Sequence, residues 1–465
     1  MEDITPQGPA SLSGQYYERI SQHVESPLKV TAWAMEVTDQ SGHKDQVIMV
    51  SLDVVCTPRV LQDTLKDLVS EQLPDFDTRK LFLNATHTHS APGPDIRSEY
   101  GRLLLEKLTK AVVSAWVNRK PAGVSYGLSY AVVGHNRRAT YANGTAEMYG
   151  DTARPDFIGI EGPNDPGVDM LFCWDLNKNL TGIIINVSCP SQVTESKYYV
   201  SADYWSEVRK QVGARFSEDV YVFPQCGAAG DISPRDLPTG YRAGEPNMWD
   251  VPGSREIGKR LAQAIGGVYA DARNSIQTET VFQHIVKDIG IPTRRVSKEE
   301  YQSALAKINE VRSAEPADAD SPDTAWNRFL QEVKDNEKIR EFGPWDDKKS
   351  DYGWLRPQEI VVNQYENQDI NTIYKMELHV LRIGEIAMAT NPFELFVDYG
   401  FAITGRSSAK QTFIVQLSGD YGGYLATEKA LSGGGYSAMA NEIGYQGGHI
   451  LVDDTVELIN SMWQK

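Results

Sequence analysis

Leu81-Phe82-Leu83-Asn84-Ala85-Thr86-His87-Thr88-His89-Ser90 reads as an apolar strand that runs directly into two imidazoles two residues apart. Upstream, 46–55 is an apolar, β-branched run, and Pro58 opens a helical pattern with Val60, Leu61, Leu65, Leu68 and Val69 on one side. Strand, helix and strand in that order make a βαβ unit, which places the chain in the α/β class. Ligands of open α/β sheets bind beyond the carboxyl ends of the strands, so His87 and His89 stand where a site is expected. If the segment stays extended, side chains at i and i+2 point the same way, and both rings face one ligand. Imidazole ligates metals and titrates near neutrality, and the chain has only eight His. The alternative is a pair of hydrogen-bonded loop histidines.

The alternation continues downstream. The patterns predict helices over 99–116, 203–216 and 254–272 and strands over 182–188, 220–223, 375–381, 385–389 and 412–416. Each of several strands runs into a polar or Gly-rich loop: Cys189-Pro190-Ser191-Gln192, Gly227 to Pro234, Asn391-Pro392-Phe393-Glu394, and Ser418 to Tyr424. Glycines there permit positive φ and close backbone approach, and a Gly-rich loop can aim N–H groups at an anion. Residues 297–343 change character to Glu, Lys, Ala and Asp at helical spacing, which reads as a charged helical insertion, either a lid or a solvated hairpin. No internal repeat and no Pro/Gly/Ser linker is visible, so 1–465 reads as one domain.

Composition narrows the function classes. A net charge of −17 opposes phosphate backbones, whose binding rests on Lys and Arg, so no nucleic acid is expected as a partner. No apolar run approaches the roughly 20 residues of a membrane helix, so no transmembrane segment is expected. Cys56, Cys173, Cys189 and Cys226 form no CxxC pair, which argues against a disulfide scaffold or zinc knuckle. Met1-Glu2-Asp3-Ile4-Thr5-Pro6 has neither a basic n-region nor an apolar h-region. The protein is therefore expected to be cytoplasmic, or secreted or periplasmic with a signal peptide already removed. The oligomeric state is left open.

Several segments together resemble the neutral/alkaline non-lysosomal ceramidase family: Asp3-Ile4-Thr5-Pro6, Ser51-Leu52-Asp53, Ala85 to Gly93, Asn136-Arg137, Gly227 to Pro234, Pro392-Phe393-Glu394 and Tyr421-Gly422-Gly423-Tyr424. The resemblance runs from residue 3 to about 460, in the family's motif order, as for a divergent, bacterial-type member. It implies a catalytic domain of β-sheets flanked by helices and a zinc amidohydrolase that cleaves the N-acyl bond of ceramide, a sphingolipid substrate. No counterpart of the family's C-terminal immunoglobulin-like domain is expected within 1–465.

By the same resemblance, His87, Glu394 and Tyr424 match zinc ligands, and His89 matches a neighbour that contacts the reacting carbonyl or oxyanion. Arg137 matches a substrate-facing arginine, Ser233 the serine of the GDxSP-like loop, and Tyr436 a second, catalytic tyrosine. The family's second zinc histidine precedes a proline, where this chain has Cys189-Pro190. Either Cys189 ligates as a thiolate, which zinc accepts, or it is a small buried hydrophobe, with Gln192 as a neutral oxygen substitute. Polar loops such as Tyr141-Ala142-Asn143-Gly144 and Ser432-Gly433-Gly434-Gly435 suit a saccharide as well as a lipid. Three readings stand: a metal-dependent hydrolase of an acylated molecule, a carbohydrate-active hydrolase or lyase in which His89, Tyr436 and Arg137 serve as acid/base and clamp, and a binding protein whose metal site has decayed.

Overall fold

The computed structural model describes residues 1–239, 248–335 and 351–464. Three four-stranded sheets repeat one connectivity. The first runs Glu2–Asp3, Lys29–Thr38, Lys44–Leu52, Leu81–Ala85; the second Ala122–Tyr130, Gly167–Asp175, Leu180–Val187, Tyr221–Cys226; the third Phe282–Pro292, Ile373–Ile383, Ile386–Thr390, Gln411–Val415. In each, the first two pairings are antiparallel and the last is parallel. A parallel pair needs a crossover connection, and here the crossovers carry the helices Arg59–Gln72, Tyr204–Arg215 and Val397–Arg406. A longer helix follows each fourth strand: Glu99–Val117, Asp250–Asn274 and Tyr445–Ser461.

Side-chain alternation explains how the sheets pack. Along Lys44–Leu52, Ile48, Val50 and Leu52 face outward onto Leu61, Leu65, Leu104 and Leu108 of the helices. Val47 and Met49 face inward, where they meet Phe82, Leu171, Ile184, Phe223, Leu381, Met388 and Phe413 from all three sheets. The second sheet behaves alike, with Ile183, Ile185 and Val187 against Trp205, Val208 and Leu261. So does the third, with Ala387 and Ala389 in a cluster with Tyr399, Ile403 and Leu451. Strands buried on both faces read as continuous apolar runs, which is why the sequence announces them. Phe82 is fully buried at the shared centre, where a Phe→Ala change costs about 3–5 kcal/mol.

This packing collects the loops. Leu52 pairs with Ala85, Val187 with Cys226 and Thr390 with Val415, so both strands of each parallel pair end at one level. Backbone hydrogen bonds then tie one sheet's loops to another's: Ser191 N to Thr86 O at 3.3 Å, Gly230 N to Leu395 O at 2.8 Å and Gln416 N to Cys226 O at 3.1 Å. Six loop entrances meet at one junction.

Within 297–343 lie the helices Lys298–Ser313 and Ala325–Asp335, while 336–343 fall outside the described residues. Ser297 and Glu300 close a capping box on the first of them, which satisfies two orphan N–H groups. Phe329 packs on Tyr17 and Tyr352, which anchors this segment beside the chain's amino-terminal loop. Among the described residues, no helix is long and apolar enough to cross a membrane.

Candidate active site at the junction of three sheets

His87 and His89 follow the first sheet's fourth strand, which ends at Ala85. The backbone then turns rather than staying extended: His87 N donates to Val54 O at 3.0 Å, and its φ is 64°. This corrects the expectation of an extended segment, because a left-handed residue breaks strand alternation. The two rings still meet, edge to face, with centroids 4.9 Å apart and Nε2 to Nε2 at 3.3 Å. His87 Nδ1 lies 2.6 Å from Val55 O; a carbonyl only accepts, so Nδ1 carries the proton. His89 Nδ1 lies 3.4 Å from Glu195 Oε2. Its ring rests on Gly14, where a Cβ would fall 2.4 Å from the ring at φ +104°.

Glu394, from the loop after the third sheet's third strand, brings Oε2 to 3.6 Å from His87 Nε2. Its Oε1 accepts from the Tyr421 hydroxyl at 2.9 Å. Burial, reinforced by the Glu394 charge, pushes the Tyr421 phenol well above its ordinary range, so it stays a donor. Tyr424 stands beside Glu394 in register, and its hydroxyl lies 3.3 Å from Arg137 Nη2.

Arg137 sits at the centre, 2% exposed. Its Nη1 donates to Gln192 Oε1 at 3.1 Å and its Nη2 to Gly230 O at 2.9 Å, with Glu394 Oε2 4.0 Å away. Burial works to lower its pKa, but the Tyr424 and Tyr149 hydroxyls and the Glu394 charge outweigh this and hold it above the ordinary value. The site thus has a permanent buried cation. Gln192 Nε2 continues the chain to His89 Nε2 at 3.0 Å. Gly230 is required for close approach, since a Cβ there would lie 2.3 Å from Glu394 O.

Tyr436 opens a short helix, and its ring packs edge-on to Tyr424 and to Tyr16, each at 5.9 Å. Ser233 pairs across to His135, and its hydroxyl caps Arg235 N at 3.1 Å. Ser233 also adjoins Tyr149, whose phenol burial pushes up to about 12. His87, His89, Arg137, Glu394 and Tyr424 are therefore brought together, with Tyr436 and Ser233 at the margin.

Cys189 is placed differently. Its side chain is fully buried in the cluster with Val133, Val187, Tyr204 and Trp205 on the helix side of the second sheet. The thiol donates to Val133 O at 3.3 Å, and burial pushes its pKa well up. Its neighbour Gln192 reaches the His89 imidazole instead, at 3.0 Å. Among the described residues, no group of three or more His, Cys, Asp or Glu side chains is placed to hold a metal ion.

The sequence reading gave no role to Glu195, Tyr421, Gln15 or the Arg138–Glu161 pair. Glu195 accepts from Tyr149 and Gln15, each at 3.4 Å. It lies in the loop that supplies Gln192, so loop membership was the available signal. Arg138 lies next to Arg137, and nothing in its surroundings in sequence marks it.

Two ceramidases are among the solved structures similar to this chain. The neutral ceramidase from Pseudomonas aeruginosa aligns with a TM-score of 0.67, covering 99% of this chain and 73% of its own, at 16% identity. A ceramidase complexed with C2 aligns at 0.65, covering 99% and 74%, at 17% identity. No family model matches the sequence, and no curated relative does. The chain has the neutral ceramidase-like fold, a mixed α/β architecture of sheets flanked by helices.

Proposed function

We propose, starting from the fold shared with neutral ceramidases, that this protein is a zinc-dependent hydrolase that cleaves the N-acyl bond of a ceramide-like or other acylated molecule. The observation that carries this reading is the convergence of His87, His89, Arg137, Glu394 and Tyr424 at the carboxyl ends of three sheets. Fold alone does not assign chemistry; the site's residues are what support this reading.

His87 Nε2 offers a lone pair with Glu394 Oε2 3.6 Å away, and Tyr424 stands beside Glu394 in register, so these three residues would be the ones to hold a zinc ion. A bound zinc lowers the pKa of its water toward neutrality and polarises a carbonyl. The chain's own residues supply the rest. Arg137, fixed by Gln192 and Gly230, presents positive charge to an oxyanion, which preorganised donors stabilise without reorganisation. Tyr436, at the margin, hands a proton to the departing nitrogen. Tyr421 holds the Glu394 carboxylate in place.

A saccharide is the second reading. What favours it is the polar wall of Gln15, Tyr149, Gln192 and Glu195 around His89, which offers hydrogen bonds rather than an oily groove.

The test is hydrolysis by the purified protein of an N-acyl sphingoid base, of shorter N-acyl amines and of aryl glycosides. Amide cleavage that is lost with bound metal in His87→Ala, and reduced with metal retained in Tyr436→Phe, is the expected result. An active, metal-free His87→Ala variant overturns the mechanism. Cleavage of glycosides alone transfers the assignment to the second reading.

A further inference from the structure

We propose that the acylated molecule is an N-acyl amino sugar, held with the face of its ring on Tyr421 and its hydroxyls on Gln15, Tyr149, Gln192 and Glu195. This rests on the reading of the junction as an N-acyl hydrolase and names the substrate class of that same site.

A pyranose has two kinds of surface, an apolar C–H face and a rim of hydroxyls, and the junction offers a partner for each. Tyr421 supplies the first. Its hydroxyl is tied to Glu394 Oε1 at 2.9 Å, yet the residue is 44% exposed, where Tyr424 beside it is 8% exposed. Tyr421 therefore stands at the lip of the site, with one end on the Glu394 carboxylate and the rest open. Its backbone is equally fixed. Tyr421 N donates to Asp420 Oδ1 at 2.8 Å, and Asp420 Oδ2 meets Arg59 Nη2 at 2.8 Å and accepts from the Tyr374 hydroxyl at 2.9 Å. On either side, Gly419 N donates to Leu83 O at 3.0 Å and Gly422 N to Pro392 O at 2.9 Å. A tyrosine held at both ends loses little freedom when a ligand covers it.

The opposite wall supplies the second. Arg137 divides the site, with Nη2 towards Glu394 and Tyr424 and Nη1 on Gln192 Oε1. On the Nη1 side, Glu195 is 5% exposed and accepts from Gln15 Nε2 and the Tyr149 hydroxyl, each at 3.4 Å, while Tyr149 accepts from Arg137 Nη1 at 3.5 Å. All three contacts exceed the span of about 2.5–3.2 Å usual for hydrogen bonds, so a hydroxyl placed among these groups gains short bonds without breaking strong ones. Gln15 and Tyr149 are half-buried, which keeps the wall within reach of a ligand. A hydrocarbon chain laid there would gain no hydrogen bond and would cover a carboxylate, a costly burial. Sites built to bond a substrate's hydroxyls reject analogues that lack them, so this lining favours a sugar over a sphingoid chain.

The reaction balances with water alone. Its oxygen adds to the acyl carbon, the C–N bond breaks with its electron pair going to nitrogen, and the nitrogen takes one proton from the water, which gives a carboxylic acid and an amino sugar. The glycosidic bond is untouched, which separates this chemistry from glycoside cleavage.

The test measures binding and hydrolysis separately on the full-length protein. Calorimetric titrations use an N-acetylglucosamine disaccharide, an N-acetylgalactosamine glycoside and a short-chain ceramide, and acyl release from each is followed in parallel. At least one of the two sugars is expected to bind, more tightly than the ceramide, and to lose its acetyl group. Tyr421→Ala should weaken that binding about 5–10-fold, the worth of a ring contact, while Tyr421→Phe, which keeps the ring, stays within about twofold of wild type. Glu195→Gln should weaken it about 10–100-fold and Gln15→Ala about fivefold. Far-ultraviolet circular dichroism checks that each variant is folded; if Tyr421→Ala is not, Tyr421→Leu and Gln15→Ala decide. Binding of neither sugar, wild-type affinity in Tyr421→Ala, or an equal loss in Tyr421→Phe and Tyr421→Ala overturns the proposal. Ceramide cleavage without sugar binding overturns it too and leaves the hydrolase reading standing. Sugar bound through Tyr421 with no acyl release keeps the sugar site and sinks the hydrolase reading.

Discussion

The guanidinium of Arg138 and the carboxylate of Glu161 form a two-pronged pair, Nε to Oε2 at 2.6 Å and Nη2 to Oε1 at 3.0 Å, with Arg138 wholly shielded from solvent. The same guanidinium donates to Ser437 Oγ at 3.1 Å, Ala430 O at 3.2 Å and Gly434 O at 2.8 Å. Arg138 therefore pins the segment that presents Tyr436. Removing one partner of a buried pair strands the other charge, at a cost of about 3–5 kcal/mol. Arg138→Met should show that loss in urea denaturation, and its turnover should fall with metal content unchanged. Stability equal to wild type would contradict the pinning role.

Arg137→Lys tests the central cation separately. An ammonium is a point charge and cannot span Gln192 Oε1, Gly230 O and Tyr424 OH as a planar guanidinium does. Losing such a preorganised donor costs about 100–1,000-fold in turnover, so kcat on the best substrate should fall by that order while the circular dichroism spectrum stays unchanged. Turnover within about threefold of wild type would show that any positive charge suffices.

Acid should weaken the fold through His284 and His379, whose rings meet at 3.1 Å (Nε2 to Nδ1), with His284 Nδ1 also facing Gln46 O at 3.0 Å. Burial lowers both pKa values from 6.5, that of His284 well below. A group whose folded pKa is depressed takes up its proton more readily when unfolded. The stability contribution is thus fully present above about pH 6.5 and is lost as pH falls below it, by up to about 1.4 kcal/mol per pH unit for each group. Asp231, raised to about 7 by burial, acts with the opposite sign, so the variant must isolate the pair. Unfolding free energy should fall more steeply between pH 7 and 5 in wild type than in His284→Gln. Parallel slopes would show that the pair does not titrate on unfolding.

Legibility followed burial. Lys44–Leu52, Leu81–Ala85, Leu180–Val187 and Gln411–Val415 lie between helices and the shared core, so they are apolar on both faces and visible as runs. Ala122–Tyr130 alternates exposed and buried residues and is rich in Gly, Ser and Tyr, a composition that does not stand out from loops. The loops after the strands pointed to His87, Glu394 and Tyr424 because strand ends mark sites in α/β sheets, whereas Arg137 came from the family resemblance alone. The direction of Cys189 was not legible: the bond from Cys189 N to Val187 O turns the chain there, and only packing reveals which side the thiol takes. Glu195 and Tyr421 enter the site through contacts with residues far away in sequence, which periodicity does not record.

The repeated sheet connectivity divides labour in a way no single unit reveals. The first unit lends imidazoles, the second an amide and a carboxylate, the third a carboxylate and phenols, and none owns a complete set. Chemistry in this molecule is a property of the seam. Lengthening or recolouring one loop there can redirect the substrate while all twelve strands keep their partners, which leaves this architecture free to exchange reactions without relearning how to fold.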